Sequence, residues 1–391
     1  MPPYHRLGSI PPKRHTKHPA TPGFSNEGLY CEEVISTHGF SGAYSIAYHL
    51  RPPTRVLKVE AVPSVPVEVA PQDRLRHHHL KTRSIPIHGD PISGRVPMFT
   101  NADVTISRCR PSDEQVDLFR NATADEIIFI HKGQGVLLTH FGRLSFKPFD
   151  YIVIPRCTTY GLYPDFGQPT DLLVIESTGA LGFPERYLNR DGQFKLGAPF
   201  CERDLHGPSE LMTEDSGDET SAVVIKDGDR RTRYTLAHHP FDVVGWDGMV
   251  YPFTFNADDF EPITGTIHQP PPIHQTFESR GGFVVCTFAP RMLDTHPQAV
   301  KIPYAHSNVE SDELLYYVRG KFGSRRGVEE CSLTLHPHGI PHGPHPGTIA
   351  ASWEMTRTDE LAVMVDTFRP LHLTKQASAY DDPAYPLSWM D

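Results

Sequence analysis

The sequence has no run of eighteen apolar residues, which excludes a transmembrane helix as sequence patterns define one. It is short of positive charge, with Lys and Arg totalling 37 against 47 for Asp and Glu, so the formal net charge is −10. Nucleic acid is therefore not the expected partner, since that would call for a basic face. No CxxC pair occurs among the six cysteines, Cys31, Cys109, Cys157, Cys201, Cys286 and Cys331. In a chain of 391 residues such scattered cysteines are expected to be buried small hydrophobes in a reducing cytoplasm. The opening Met1-Pro2-Pro3-Tyr4-His5-Arg6 is followed by no apolar stretch, so a signal peptide is not expected. With 38 prolines and 30 glycines there is little room for long helices. What the sequence does contain is short β-branched and aromatic runs bounded by turn residues, such as Glu126–His131, Tyr151–Pro155 and Phe283–Phe288. It also holds 23 histidines. A mainly β fold that could bind a metal is the first expectation.

Taken in order, residues 1–60 read as an N-terminal arm packing on the body. Residues 61–183 form a first β domain, residues 184–260 a connecting segment with an exposed acidic loop at Ser209–Thr220, and residues 261–391 a second β domain. Phe241–Gly248 is a dense apolar and turn mixture, expected to lie against the second domain. The run His77-His78-His79 cannot present all three rings to one ion from a strand, because side chains alternate. It is expected to be a solvated basic loop with Arg74, Arg76, Lys81 and Arg83.

The two β domains read as copies. At one constant offset Asn121 falls on Asn308, Asp125 on Asp312, Glu126 on Glu313 and Gly133 on Gly320. Downstream, Asp150–Tyr160 falls on the segment ending Pro337-His338-Gly339-Ile340-Pro341-His342. Self-similarity of this kind marks a duplicated unit. Phe119 stands where His306 stands, and Tyr160 where His342 stands. The first copy is therefore expected to be structural and metal-free, with Asp125 and Glu126 making hydrogen bonds.

The second copy offers His306, Glu313 and histidines in a Pro/Gly-rich turn. Two imidazoles and a carboxylate make the ligand set of a mononuclear non-haem Fe(II) centre, with positions left open for chemistry. His336, His338, His342 and His345 all crowd that turn.

The pattern His306-x-Asn308-x4-Glu313-x6-Gly320, followed by Pro337-x-Gly339-x2-His342, resembles the two cupin motifs. The resemblance implies an all-β, bicupin-like double jelly-roll β-barrel with an N-terminal arm and long loops. It selects His306, Glu313 and His342 as metal ligands. Asn308 replaces the usual further histidine, so three ligands remain and Asn308 becomes a candidate substrate contact. His336, His338 and His345 are left to orient a ligand or touch substrate.

Tyr4–Lys13, Leu29–Val56, His239–Gly248, Phe255–Pro262, Pro303–Gly320 and Leu335–Gly347 also resemble the homogentisate 1,2-dioxygenase family, in order and over most of the chain. That likeness implies Fe(II) as cofactor, with a hydroquinone acid and dioxygen as substrates. It implies ring cleavage of homogentisate to maleylacetoacetate, in tyrosine and phenylalanine breakdown. A histidine in the loop before the metal motif acts as general base in the family, which falls on His268, with His274 nearby. Trimers or pairs of trimers are implied as well. The sequence departs at Phe322, where the family's tyrosine hydroxyl contacts a substrate oxygen; Tyr316, Tyr317, His336 and His345 could replace that donor. Gentisate or another substituted hydroquinone is the alternative substrate. A non-redox metal cupin, either an isomerase or a binding module, is the alternative class.

Overall fold

The computed structural model describes residues 2–22, 27–215, 217, 219–267, 271–302, 304–322 and 325–390. Among the described residues the strands form four larger sheets and one short pair. The segments expected to be strands fall in Asp125–Lys132, Asp150–Ile154 and Phe283–Phe288.

The first unit is a sandwich of two sheets. A seven-stranded sheet runs from Gly142–Phe146 to Val56–Val62, and an eight-stranded sheet runs from Leu205–His206 to His372–Leu373. Their facing sides enclose Phe119, Ile128, Ile130, Ile152, Tyr160 and Val174. Every residue of Asp125–Ile130 is buried because both faces of this strand are covered. Ile128 and Ile130 point into the sandwich, whereas Ile127 and Phe129 point the other way.

That other side packs on the second unit. A seven-stranded sheet there contains Asp312–Arg319, flanked by Leu361–Thr367 and Ser332–His336. Leu314, Tyr316 and Val318 of the central strand join Ile127 and Phe129 in the seam between the units. Alternation sends Glu313, Leu315 and Tyr317 to the opposite face, the interior of the second unit. Leu315 packs there with Val284, Cys286, Met364 and Phe288.

The connecting segment expected at 184–260 does more than connect. Ser221–Asp227 and Arg230–Leu236 extend the seven-stranded sheet of the first unit, and Phe253–Asn256 extends the eight-stranded one. Val243–Gly248 joins the N-terminal sheet, pairing with His5–Gly8 and Tyr44–His49. Trp246 is thereby buried, with its Nε1 donating to the Phe141 carbonyl at 2.7 Å. The stretch Val243–Gly248 therefore packs on the first unit, through Trp246 against Phe141, where the second was expected. Its contacts are set by strand pairing with the N-terminal arm.

The run at residues 77–79 also departs from expectation, since all three histidines are buried. His78–Lys81 is an edge strand of the second unit, paired with Ser332–His336. Of the cysteines, Cys109, Cys286 and Cys331 are buried, Cys31 and Cys201 are half-buried, and Cys157 is exposed.

His49 pins the N-terminal sheet to the body. Its Nδ1 lies 2.7 Å from Asp242 Oδ1 and its Nε2 3.0 Å from Glu33 Oε2. Burial alone would lower its pKa, but hydrogen bonds to Asp242 and Glu33 raise it from 6.5 to about 9. A raised folded-state pKa adds stability that is fully present below the unfolded value and lost as pH rises through the folded one. The stability gap between wild type and His49→Gln is therefore expected to be widest below pH 6.5 and to close as pH passes about 9. Denaturant titrations across that range check it.

Candidate metal centre

Glu313 is the second residue of the strand Asp312–Arg319. Its cross-strand neighbours are Asp366 on one side and His336 on the other. His306 and His342 come from loops, joined by a pair of backbone hydrogen bonds: His306 N to His342 O at 2.8 Å and His342 N to His306 O at 2.9 Å. His306 Nε2 lies 3.4 Å and His342 Nε2 3.5 Å from Glu313 Oε2. One ligand atom from each residue falls within 4.8 Å of the others.

Asp312 holds the turn that presents His342. Its Oδ1 accepts from the His338 backbone N–H at 2.9 Å and from His338 Nδ1 at 2.7 Å, while its Oδ2 accepts from the Leu371 N–H at 2.7 Å. The Gly339 N–H donates to the Asn308 carbonyl at 2.7 Å. Asn308 thus sets the turn through its backbone. Gly320 closes the strand at φ +95°, where a Cβ would come within 2.5 Å of the Asp359 carbonyl.

The first unit repeats this frame with a different filling. Asp125 Oδ1 accepts from the Arg156 N–H at 3.0 Å, its Oδ2 accepts from Leu181 N–H at 2.9 Å, and the Cys157 N–H donates to the Asn121 carbonyl at 2.8 Å. Where the second unit has its imidazoles, Arg95 Nη1 lies 2.6 Å from Glu126 Oε1. Arg95 also donates to the Tyr160 hydroxyl at 3.0 Å, and Tyr160 in turn donates to Glu126 Oε2. The fixed guanidinium stands where a cation would bind.

The residues of the second unit fit a metal. His342 Nδ1–H donates to the Ile340 carbonyl at 3.2 Å, so Nε2 carries the lone pair. That Nε2 is buried with no hydrogen-bond partner, an orphaned donor atom aimed at Glu313. Nitrogen–oxygen gaps of 3.4 and 3.5 Å suit two ligand atoms each about 2.0–2.2 Å from a shared ion. Burial opposes the charge of Glu313, but the nearby His306, His336 and His342 rings override it and hold the carboxyl well below the usual range.

His336 supports the cluster from behind. Its Nδ1 donates to Glu313 Oε1 at 3.0 Å, and its Nε2 accepts from the Tyr385 hydroxyl at 3.1 Å. Burial, ahead of the nearby Arg325 charge, lowers its pKa to about 3, so the ring stays neutral. Outer-shell partners of this kind are worth about 10–100-fold in metal affinity. His336→Ala is expected to weaken Fe(II) binding by roughly that factor. A competition titration with a chelator measures it.

The other predicted residues divide. Tyr317 faces the interior, with its hydroxyl 3.3 Å from Thr334 Oγ1. Phe322 packs edge-on against Tyr317, ring centroids 4.7 Å apart. Tyr316 does not reach the site: it points into the seam, bonded to His131 with Arg108 over its ring. His345 is taken up by the C-terminal tail, 2.8 Å from Ser388 Oγ and stacked on Trp389. His268 lies outside the described residues. His274 is buried against Phe288, and burial first, then Arg291, lowers its pKa to about 3. It touches the wall of the interior but no member of the metal cluster among the described contacts.

Three residues at the centre were not anticipated. His77 stands 6.3 Å, ring to ring, from His342, with Nε2 buried and unpartnered. Asp366 faces Glu313 across the sheet, and burial followed by the Glu313 charge pushes its carboxyl well up. Arg325 is held beside the cluster through the Gly343 carbonyl at 2.6 Å. One other possible metal group, His131, Glu330 and Cys331, is found among the described residues. There Lys132 already neutralises Glu330, and Tyr316 occupies His131 Nδ1. Cavities of about 650 and 690 Å³ lie away from the cluster.

The fold and the site together define a duplicated β-sheet protein in which one unit keeps a His/Glu/His cluster and the other fills that place with arginine. The family model described as homogentisate 1,2-dioxygenase N-terminal matches residues 92–257. A Saccharolobus solfataricus protein named "Putative dioxygenase SSO1533" is 40% identical over 390 residues, covering 99% of this chain and 98% of its own. Homogentisate 1,2-dioxygenase of Bradyrhizobium diazoefficiens is 26% identical over 66% of this chain and 59% of its own length. Among solved structures, a cupin 2 conserved barrel domain protein from Leptotrichia buccalis covers 78% of this chain and 100% of its own, at 10% identity and a TM-score of 0.33. The chain belongs to the same dioxygenase family as the Saccharolobus protein, and residues 92–257 match the homogentisate 1,2-dioxygenase N-terminal model. Among the described residues no helix is long and apolar enough to cross a membrane.

Proposed function

We propose that this protein is an Fe(II)-dependent dioxygenase that opens the ring of a hydroquinone acid, with homogentisate the first substrate to test and gentisate the next. The observation carrying this is the His306, Glu313, His342 cluster, with its buried unpartnered His342 Nε2 and one partly exposed member. Fe(II) bound there would supply the redox chemistry that couples dioxygen to an electron-rich ring, which a redox-silent Zn²⁺ could not.

The chain's own residues do the rest. His306, Glu313 and His342 would hold the ion. His336 fixes the Glu313 carboxylate and, being neutral, adds no charge to it. Val284, Cys286, Leu315, Met364 and Phe288 wall the interior and exclude water from an apolar ring. The His306 side chain is 31% exposed, so entry is from that side. Removal of a phenolic proton is assigned to His268, because a ring with a pKa of about 3, like that of His274, is too weak a base.

Oxygen uptake by Fe(II)-loaded protein with a panel of hydroquinone acids tests the reading. Fast uptake with one of them is expected. Zinc as the native metal and no uptake with any of them would favour a non-redox cupin instead.

A further inference from the structure

We propose that the Arg325 guanidinium binds the carboxylate of the aromatic acid substrate and so sets the acid selectivity of this site; this rests on the functional reading above. Arg325 lies in the loop between the strands Asp312–Arg319 and Ser332–His336. Its backbone N–H donates to the Phe322 carbonyl at 3.1 Å. Its Nη1 donates to the carbonyl of Gly343, the residue after His342, at 2.6 Å. Trp389 Nε1 donates to the same carbonyl at 3.0 Å and fixes that anchor.

The head group is thereby placed against the metal pocket. Tyr317, Tyr385 and Glu313 all interact with its charge. Of these, Tyr317 shares the inner face with Glu313, and Tyr385 bonds His336. The same cation helps to lower His336 and His77, after burial in both cases. A guanidinium stays charged and presents a planar fork that matches a carboxylate. A divalent ion held by a single glutamate leaves this enclosure positive, and Arg325 adds to the excess. A substrate carboxylate balances it, whereas a neutral diol does not. The position also fits the departure at Phe322. The loop that offers a phenyl ring against Tyr317 offers a cation three residues later.

The test compares wild type with Arg325→Met and Arg325→Lys, with iron content checked in each. Oxygen uptake is measured with homogentisate and with methylhydroquinone, which lacks the carboxylate. Anaerobic calorimetry with 2-hydroxyphenylacetate, an acid that is not a hydroquinone, measures binding apart from turnover. Arg325→Met is expected to raise KM for homogentisate and Kd for 2-hydroxyphenylacetate by about 10- to 100-fold, as for loss of a charge-assisted pair. KM for methylhydroquinone should change by less than about twofold, and Arg325→Lys should recover part of the loss. An equal loss on acid and neutral diol, or no loss on either, overturns the proposal. Arginine-dependent binding of 2-hydroxyphenylacetate with no oxygen uptake on any hydroquinone would keep this inference and reject the functional reading.

Discussion

Glu313→Ala protein, reconstituted with Fe(II) and desalted, is expected to keep less than about a tenth of the wild-type iron. Even an outer-shell partner is worth about 10–100-fold in metal affinity, so removing a direct ligand should exceed 100-fold. Glu313 is also the residue on which the cluster converges. His306 and His342 both approach its Oε2, and His336 bonds its Oε1. Without it three imidazoles remain with no anion to balance an ion's charge. The fold should survive, because the imidazoles can stay neutral and the central strand keeps its register with both neighbours. Iron analysis beside a thermal melt separates the two effects. Full iron retention would break the ligand assignment.

Arg95→Met should do the reverse: it should leave iron content unchanged and destabilise the chain by about 3–5 kcal/mol, as expected when one partner of a buried ion pair is removed. Arg95 and Glu126 are both buried, and the arginine holds the Glu126 carboxyl below the usual range against the effect of burial. Methionine fills much of the space but leaves Glu126, among the described residues, with Tyr160 and Asn121 as its hydrogen-bond donors. Urea unfolding measures the loss. A cost below about 1 kcal/mol would mean the pair behaves like an exposed one. The two variants together ask whether the units have divided their roles, one binding metal and the other bracing its own interior with an ion pair.

Much of this division is legible in the sequence, because backbone requirements repeat with the motif. Asp125 and Asp312 cap equivalent turns, and Gly133 and Gly320 take the same left-handed conformation, at φ +96° and +95°. The His/Glu/His set follows from the same alignment. The cation in the first unit does not: Arg95 comes from a strand outside the repeated stretch, and only the folded sheet brings it to Glu126.

Other features depended on register, which a sequence does not print. Tyr316 and Tyr317 are neighbours with similar chemistry, but the pleat sends one to the seam and the other inward. Asp366 sits in the apolar run Leu361–Thr367 and becomes part of the site only because it pairs with Glu313. His77 looked solvent-exposed because its cover comes from distant residues, Ser332–His336 and Trp389. Arg325 follows a Gly-Ser pair that reads as surface loop, yet the chain folds back through Gly343. Trp246 was misplaced for a related reason, since its strand pairs with an arm more than two hundred residues upstream.

The central claim is that the second unit directs both atoms of dioxygen into an aromatic acid. It is tested most directly by turning over the Fe(II)-loaded protein with homogentisate, or the best acid of the panel, under ¹⁸O₂ and weighing the product. The account predicts a ring-opened product carrying two labelled oxygens, and no such product from Glu313→Ala. An intact ring, or a product with one labelled atom or none after correction for exchange with water, would contradict it.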